Sequence, residues 1–312
     1  MMIIFLNFIY LLMLIILILI GVAFLTLFER KILGYVQYRV GPNKVGFKGF
    51  LQPFSDAIKL FSKELFILGN INLMYYLISP IMMLLVSFLY WLIYPFYINL
   101  LFIDNGFIYM FMLLSLSIYP IMFGAWSSNS IYSMLGCLRS LVQSISFEVS
   151  LFMMFFVVFM FIEGFSMKNL FIFKMNFKLI IIFFPLYLMF LLSMLIELNR
   201  VPFDLVEGES ELVSGFNIEY YSGNFSLIFM SEYMSILFMM FILSMLFFNW
   251  GSGLLMLFIM MFHFYFVIWI RSVLPRIRYD ELMYLCWKKF LMIILIYIYV
   301  FYIMKMCMIF MM

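Results

Sequence analysis

From Leu65 to Leu138 the chain carries one ionisable side chain of the Asp, Glu, Lys and Arg classes, Asp104. A soluble domain cannot hide so long an uncharged, apolar stretch, so the run reads as membrane spans joined by short turns. The rest of the chain agrees: 68% of its 312 residues are hydrophobic and 11% are charged, with a mean hydropathy of +1.20.

Apolar stretches long enough to cross a bilayer, about 20 residues each, fall near 3–28, 73–95, 107–126, 141–162, 179–197, 227–249, 253–270 and 289–311. The expected fold is therefore an all-α integral membrane protein of about eight transmembrane helices, a single membrane domain over 1–312. Pro80, Pro120 and Pro185 lie inside spans, where bilayer helices tolerate them. Apolar residues from Met2 to Phe28 lack a basic leader and a small-residue cleavage site, so this stretch reads as a retained span.

Orientation follows from the basic residues. Connections after spans one, three, five and seven hold 14 of the 18 Lys and Arg, against 4 on the other side. The first side is then the matrix or cytoplasmic face, with both termini opposite.

Two connections on that basic side are long. The loop 29–66 contains Phe50, Phe54, Ala57, Ile58, Phe61 and Leu65 at helical spacing, with Gln52, Ser55, Asp56, Lys59 and Lys63 on the other face. That pattern is an amphipathic helix lying along the interface, with Pro53 tolerable in its first turn. Ahead of it, Arg39-Val40-Gly41-Pro42-Asn43 marks a turn.

The acidic loop 197–226, with the start of the next span, brings Glu197, Asp204, Glu207, Glu209, Glu211, Glu219 and Glu232 together with one base, Arg200. It can be read as a solvated acidic loop. Val201, Pro202, Phe203, Leu205, Val206, Leu212, Val213, Phe216 and Ile218 run through it, however, and a solvated loop has little need of them. They suggest that the loop packs inward and takes carboxylates with it, where desolvation and mutual repulsion would raise their pKa values.

Within the spans, Glu148 is expected well inside span four, near the bilayer middle. Gln143, Ser144, Ser146 and Ser150 surround it in sequence, so that part of the helix faces protein or water. An intramembrane acid is a functional candidate by default. His263 between Phe262 and Phe264 reads as a core residue, and Glu163 as an interface residue.

Other chemistries find little support. Cys137, Cys286 and Cys307 are far apart and a single histidine cannot complete a zinc or iron-sulfur set, so no metal is expected. No phosphate-binding glycine loop and no nucleophile with a paired base appears. Basic residues are not interleaved with stacking aromatics, which argues against nucleic acid. Three Ala and one Thr against 32 Met and 43 Phe suggest an AT-rich organelle genome such as that of an animal mitochondrion.

The polar segments carry a resemblance. Glu29-Arg30-Lys31-Ile32-Leu33-Gly34-Tyr35, Arg39-Val40-Gly41-Pro42-Asn43-Lys44, Gln52-Pro53-Phe54-Ser55-Asp56-Ala57-Ile58-Lys59 and the run from Glu197-Leu198-Asn199-Arg200 to Asn217-Ile218-Glu219-Tyr220 resemble the chain 1 family of the mitochondrial NADH-ubiquinone oxidoreductases, respiratory complex I. Ser146-Phe147-Glu148-Val149 and the stretch Trp269 to Asp280 extend the likeness over essentially the whole chain. Leu198 and Val201 depart from it, standing where smaller or more polar residues are expected.

The resemblance implies a core membrane subunit that forms the membrane part of a ubiquinone cavity and couples quinone reduction to proton translocation in the mitochondrial inner membrane. This chain would bind no cofactor alone; NADH, FMN and iron-sulfur clusters would belong to partner subunits of the hydrophilic arm. By the same resemblance, Glu29, Arg30, Arg39, Asp56, Lys59, Arg271, Arg276 and Arg278 would line or flank the quinone cavity. Glu148, Glu197, Arg200, Asp204, Glu207, Glu209, Glu211, Glu219 and Glu232 would carry protons or coupling. The alternatives are a stand-alone transporter, whose inverted repeat is not evident, a hydrogenase relative that needs no quinone, and a passive anchor, which the intramembrane acids disfavour.

Overall fold

The computed structural model describes residues 2–67, 69–94, 103–167, 169, 170, 180, 183–205, 208, 215–248 and 253–311. Among these residues the chain is all helix and loop, with no strand. Seven helices are long and apolar enough to cross a membrane.

They are α1 (Met2–Val36), α3 (Leu73–Tyr90, extended by a 3-10 turn over Trp91–Ile93), α4 (Gly106–Ser127), α5 (Ile131–Ile162), α7 (Ser222–Phe247), α8 (Gly253–Val273) and the run formed by α9 (Tyr279–Tyr284), a π turn (Leu285–Phe290) and α10 (Leu291–Met311). An eighth apolar helix, α6 (Phe184–Glu197), is shorter. The amphipathic helix is α2 (Gln52–Ser62), with Pro53 in its first turn as the sequence predicts.

Several helices are longer than their apolar windows. α5 begins at Ile131, where the sequence places the span at 141, so Glu148 lies about 26 Å from the helix start. The reason is local: Ser133, Gly136, Cys137 and Ser140 are buried, and this polar first part of α5 packs on the 3-10 turn Gly215–Glu219. Hydropathy marks where a helix meets lipid, not where it ends. Pro185 is also placed differently, in the first turn of α6, where a missing N–H costs nothing.

The core runs along α5, α6 and α7, with Phe155, Phe190, Met194, Phe241 and Leu246 fully enclosed. Pro80 and Pro120 are buried in α3 and α4, so these helices turn their irregular backbone toward protein. His263 sits in the core as expected: its Nδ1 faces the carbonyl of Ile259 at 2.8 Å and its Nε2 lies 3.0 Å from the Tyr187 hydroxyl.

At the end of the bundle away from α2, Lys305 donates to the Met160 carbonyl at 2.7 Å and pairs with the exposed Glu163 at 3.0 Å. That pair ties α10 to the end of α5.

Candidate functional site

Two cavities open between α1, α3, α7 and the stretch after α6. The larger, about 370 Å³, is lined by Thr26, Glu29, Arg30, Leu33, Arg200, Asn217, Phe225, Ile228, Phe229, Glu232, Tyr233 and Arg271. Its wall is charged because α1 stays helical through Glu29-Arg30-Lys31, carrying acid and base past its apolar stretch. Glu29 is 7% exposed. One of its carboxylate oxygens accepts from Arg271 Nη1 and the other from the Tyr233 hydroxyl. Those two donors compensate the buried charge.

Arg30 leans the other way and reaches Asp56 of α2 at 2.5 Å, where Gln52 also donates at 3.0 Å. Phe54 completes the attachment of α2 by an edge contact with Phe24. The interfacial helix is thus held to α1 beside the mouth of this cavity by one ion pair and one ring contact.

The smaller cavity, about 120 Å³, extends inward along α3 and α4 and is lined among others by Tyr90, Ser117, Glu197, Arg200, Phe216, Ser231 and Glu232. Glu197 ends α6 here, and its Oε2 is buried without a hydrogen-bond partner among the described residues. Glu148 on α5 lies within electrostatic range of Glu197, and both acids lie within that range of Tyr90, whose hydroxyl donates to the Leu113 carbonyl at 3.3 Å.

Arg200 and Glu232 line both cavities. They face each other at 3.7 Å, and the Arg200 guanidinium lies over the Tyr233 ring at 4.7 Å. One arginine therefore touches the tyrosine that holds Glu29 on one side and the acid shared with the Glu197 cavity on the other.

The stretch that carries Arg200 is clamped from two helices. Gln143 of α5 donates from Nε2 to the carbonyls of Ile196 at 2.8 Å and Phe203 at 3.3 Å. From the exit of α8, Arg276 pairs with Asp204 at 3.4 Å and the Ile277 N–H donates to Pro202 at 3.0 Å. Phe203, Asp204 and Leu205 are buried, so the start of the acidic loop packs inward.

Its far end is pinned as well. The Tyr220 ring stacks on Tyr76 at 4.5 Å, its hydroxyl meets Ser79 at 2.7 Å, and Tyr76 donates to the Glu219 carbonyl at 2.5 Å. A side chain at Gly124 would place a Cβ 3.0 Å from that Tyr220 hydroxyl. Burial pushes the Tyr220 phenol up from its ordinary value.

The pattern of the family described as NADH dehydrogenase matches residues 9–302. The chain is 51% identical over 298 residues to "NADH-ubiquinone oxidoreductase chain 1" of Apis mellifera ligustica, covering 95% of this chain and 96% of that protein. The chain 1 proteins of Aedes aegypti, at 46% over 293 residues, and Locusta migratoria, at 47% over 296, are each covered to 93%, as is this chain. The chain belongs to the NADH-ubiquinone oxidoreductase chain 1 family.

For a chain 1 protein, the structure regroups the residues singled out by sequence. Glu29, Arg30 and Arg271 line the larger cavity, and Asp56 flanks it through Arg30. Arg39 lies in the turn after α1 against Gln37, Lys59 is exposed on α2, and Arg278 pairs with Asp280 at 3.3 Å in the open; none of these three lines either cavity. Arg276 joins Asp204, a residue of the other set.

Glu197, Arg200 and Glu232 share the inner cavity, while Glu219 offers its carbonyl to Tyr76. Glu207, Glu209 and Glu211 lie outside the described residues. Among the described residues no group of His, Cys, Asp and Glu is arranged to hold a metal.

Three residues that carry no signal of their own in the sequence matter to the geometry: Tyr233, Tyr90 and Asn217. The two tyrosines are hidden among 21 in the chain. The one local hint is adjacency, since Tyr233 follows Glu232 directly in an apolar helix.

Proposed function

We propose that the chain is the membrane subunit of a proton-translocating NADH:ubiquinone oxidoreductase that walls the lipid-side part of the quinone passage and carries the first charge movement of coupling. The observation that supports this most directly is the pair of adjoining cavities with Arg200 and Glu232 in both walls. The outer cavity, with Glu29, Arg30, Tyr233 and Arg271, offers an apolar-to-charged passage for a ubiquinone, and Asp56 flanks it through its pair with Arg30. Reduction in that passage demands protons. Glu232, Glu197 and Glu148 form the inward series that would answer, with Asp204, Glu207, Glu209, Glu211 and Glu219 extending it along the loop.

On this reading one membrane domain spans 1–312, the loops 29–66 and 197–226 face the matrix beside the hydrophilic arm, and both termini lie on the intermembrane-space side of the mitochondrial inner membrane. NADH, FMN and iron-sulfur clusters sit in partner subunits, and ubiquinone is the substrate that meets this chain. Coupling of this kind needs a bistable element, and the acidic loop that carries Arg200 is the candidate.

The test is the complex carrying Arg271→Met, with NADH-driven ubiquinone reduction measured beside electron transfer from NADH to a soluble artificial acceptor. Per assembled complex, the first should fall at least tenfold while the second is unchanged. Equal rates of quinone reduction in variant and parent would remove the outer cavity from the quinone passage.

A further inference from the structure

The last spanning run contains a π turn, Leu285–Phe290, between α9 and α10. Its buried residues explain it. Leu282, Cys286, Phe290 and Ile294 are all enclosed, a spacing of four where an α-helix repeats every 3.6 residues. In an unbroken α-helix that stripe would drift by about 40° at each step; a wider turn absorbs the drift. Cys286 donates to the Ser146 carbonyl at 3.3 Å and Phe290 meets Phe147 edge-on, so α5 fixes the wide turn in place.

The outer face shows the consequence. Lys288 and Lys289 both stand over the ring of Tyr284, at 4.7 and 6.0 Å from its centre. In an α-helix the fifth residue on lies about 140° away from the first, and Lys289 would not reach that ring. The π turn gathers two like charges on one exposed aromatic, beside Trp287, which is 52% exposed. Neither lysine has an ion-pair partner among the described residues. Of the acids at the start of α9, Asp280 is paired with Arg278. Wide turns of this kind often mark functional positions.

Depth indicates the ligand. No charged residue stands between Lys289 and Lys305, a rise of about 24 Å, which snorkelling lysine stems extend to about the 30 Å of a hydrocarbon core. Lys288 and Lys289 therefore sit at head-group level on the basic side. Below them on the same face Met292, Ile296 and Tyr299 are exposed, an apolar track for acyl chains.

We propose that Lys288 and Lys289, gathered over Tyr284 by the π turn, bind the phosphate head group of an anionic phospholipid at the membrane boundary. A lipid matches both parts of the surface, since it brings a phosphate to this depth and apolar chains beneath it. The site is independent of the quinone passage.

The test uses the intact complex, stripped of lipid and reloaded with mixed phosphatidylglycerol and phosphatidylcholine, with bound lipid counted by mass spectrometry. The parent should retain phosphatidylglycerol preferentially. At about fivefold per lysine near the surface, Lys288→Gln with Lys289→Gln should lower that preference roughly 25-fold, and the double arginine variant should keep it. An unchanged preference in the glutamine variant, or none in the parent, overturns the proposal. Should the glutamine variant not assemble, photoactivatable phosphatidylglycerol on the parent decides: adducts within 284–296 are expected, and cross-links from those residues to a neighbouring subunit with no lipid adduct overturn it.

Discussion

The two cavities are built from the same kinds of residue and treat their acids in opposite ways. In the outer one, Glu29 is satisfied on both oxygens by Arg271 and Tyr233. In the inner one, Glu197 buries an oxygen with no hydrogen-bond partner among the described residues. A carboxylate fixed by a guanidinium and a phenol holds geometry, because removing it would strand both partners. A carboxyl without such a partner can take or release a proton and break nothing. The outer acid suits positioning and the inner acid suits transfer, with the Arg200–Glu232 pair between them.

The largest effect should come from breaking the fixed acid. Glu29→Ala leaves Arg271 without its partner and Tyr233 without its acceptor, and truncating one member of a buried pair costs about 3 kcal/mol. Assembled complex should be scarce and quickly inactivated on warming, measured as the half-life of quinone reductase activity. Glu197→Gln, by contrast, should leave that half-life within about twofold of the parent, since no counter-ion is stranded. If both variants inactivate alike, the difference between the cavities is wrong.

Tyr233→Phe sharpens the same point at smaller scale. It keeps the ring under Arg200 and removes the hydroxyl from Glu29, a bond to a charged group worth about 1.5–3 kcal/mol. Quinone reduction should weaken about tenfold or more in kcat/KM, with the artificial-acceptor rate unchanged.

Smaller again is Tyr220→Phe, which preserves the stack on Tyr76 and loses the bond to Ser79, about 1 kcal/mol. Backbone amides of 215–219 should exchange faster. Because burial raises the Tyr220 phenol, the folded value lies above the unfolded one near 10. Its contribution is then complete below the unfolded value and is lost as pH rises through the folded one. Protection factors at 215–219, which divide out the base-catalysed intrinsic rate, should therefore be flat from neutrality to about pH 9 in the parent. The smallest effect belongs to Arg278→Ala, whose pair with Asp280 is 79% and 75% exposed; exposed pairs of this kind contribute little, and activity and stability should match the parent.

Much of this arrangement is legible in the chain. Uncharged stretches place the spanning helices, and the spacing of Phe54, Ile58 and Phe61 against Asp56 and Lys59 is enough to mark α2. Charged positions at Glu29, Arg200, Glu232 and Arg271 are legible for the same reason, since an ion in an apolar context stands out. Pairing is not. Arg271 and Glu29 are 242 residues apart, and nothing local says that Arg276 should meet Asp204 and not the outer cavity. Hydropathy also misplaces helix ends where polar residues continue a helix past the lipid, as at Ile131 and Tyr279. The π turn follows from a tertiary fact, that Leu282, Cys286, Phe290 and Ile294 share one buried face, which no local pattern reveals.

The central claim is that Arg200 and Glu232 connect the quinone passage to the inner acids. Reconstituting the complex with Glu232→Gln in proteoliposomes and measuring protons translocated per quinone reduced addresses it most directly. The account predicts that quinone reduction continues while the proton yield falls. A yield equal to that of the parent at the same quinone turnover would contradict it.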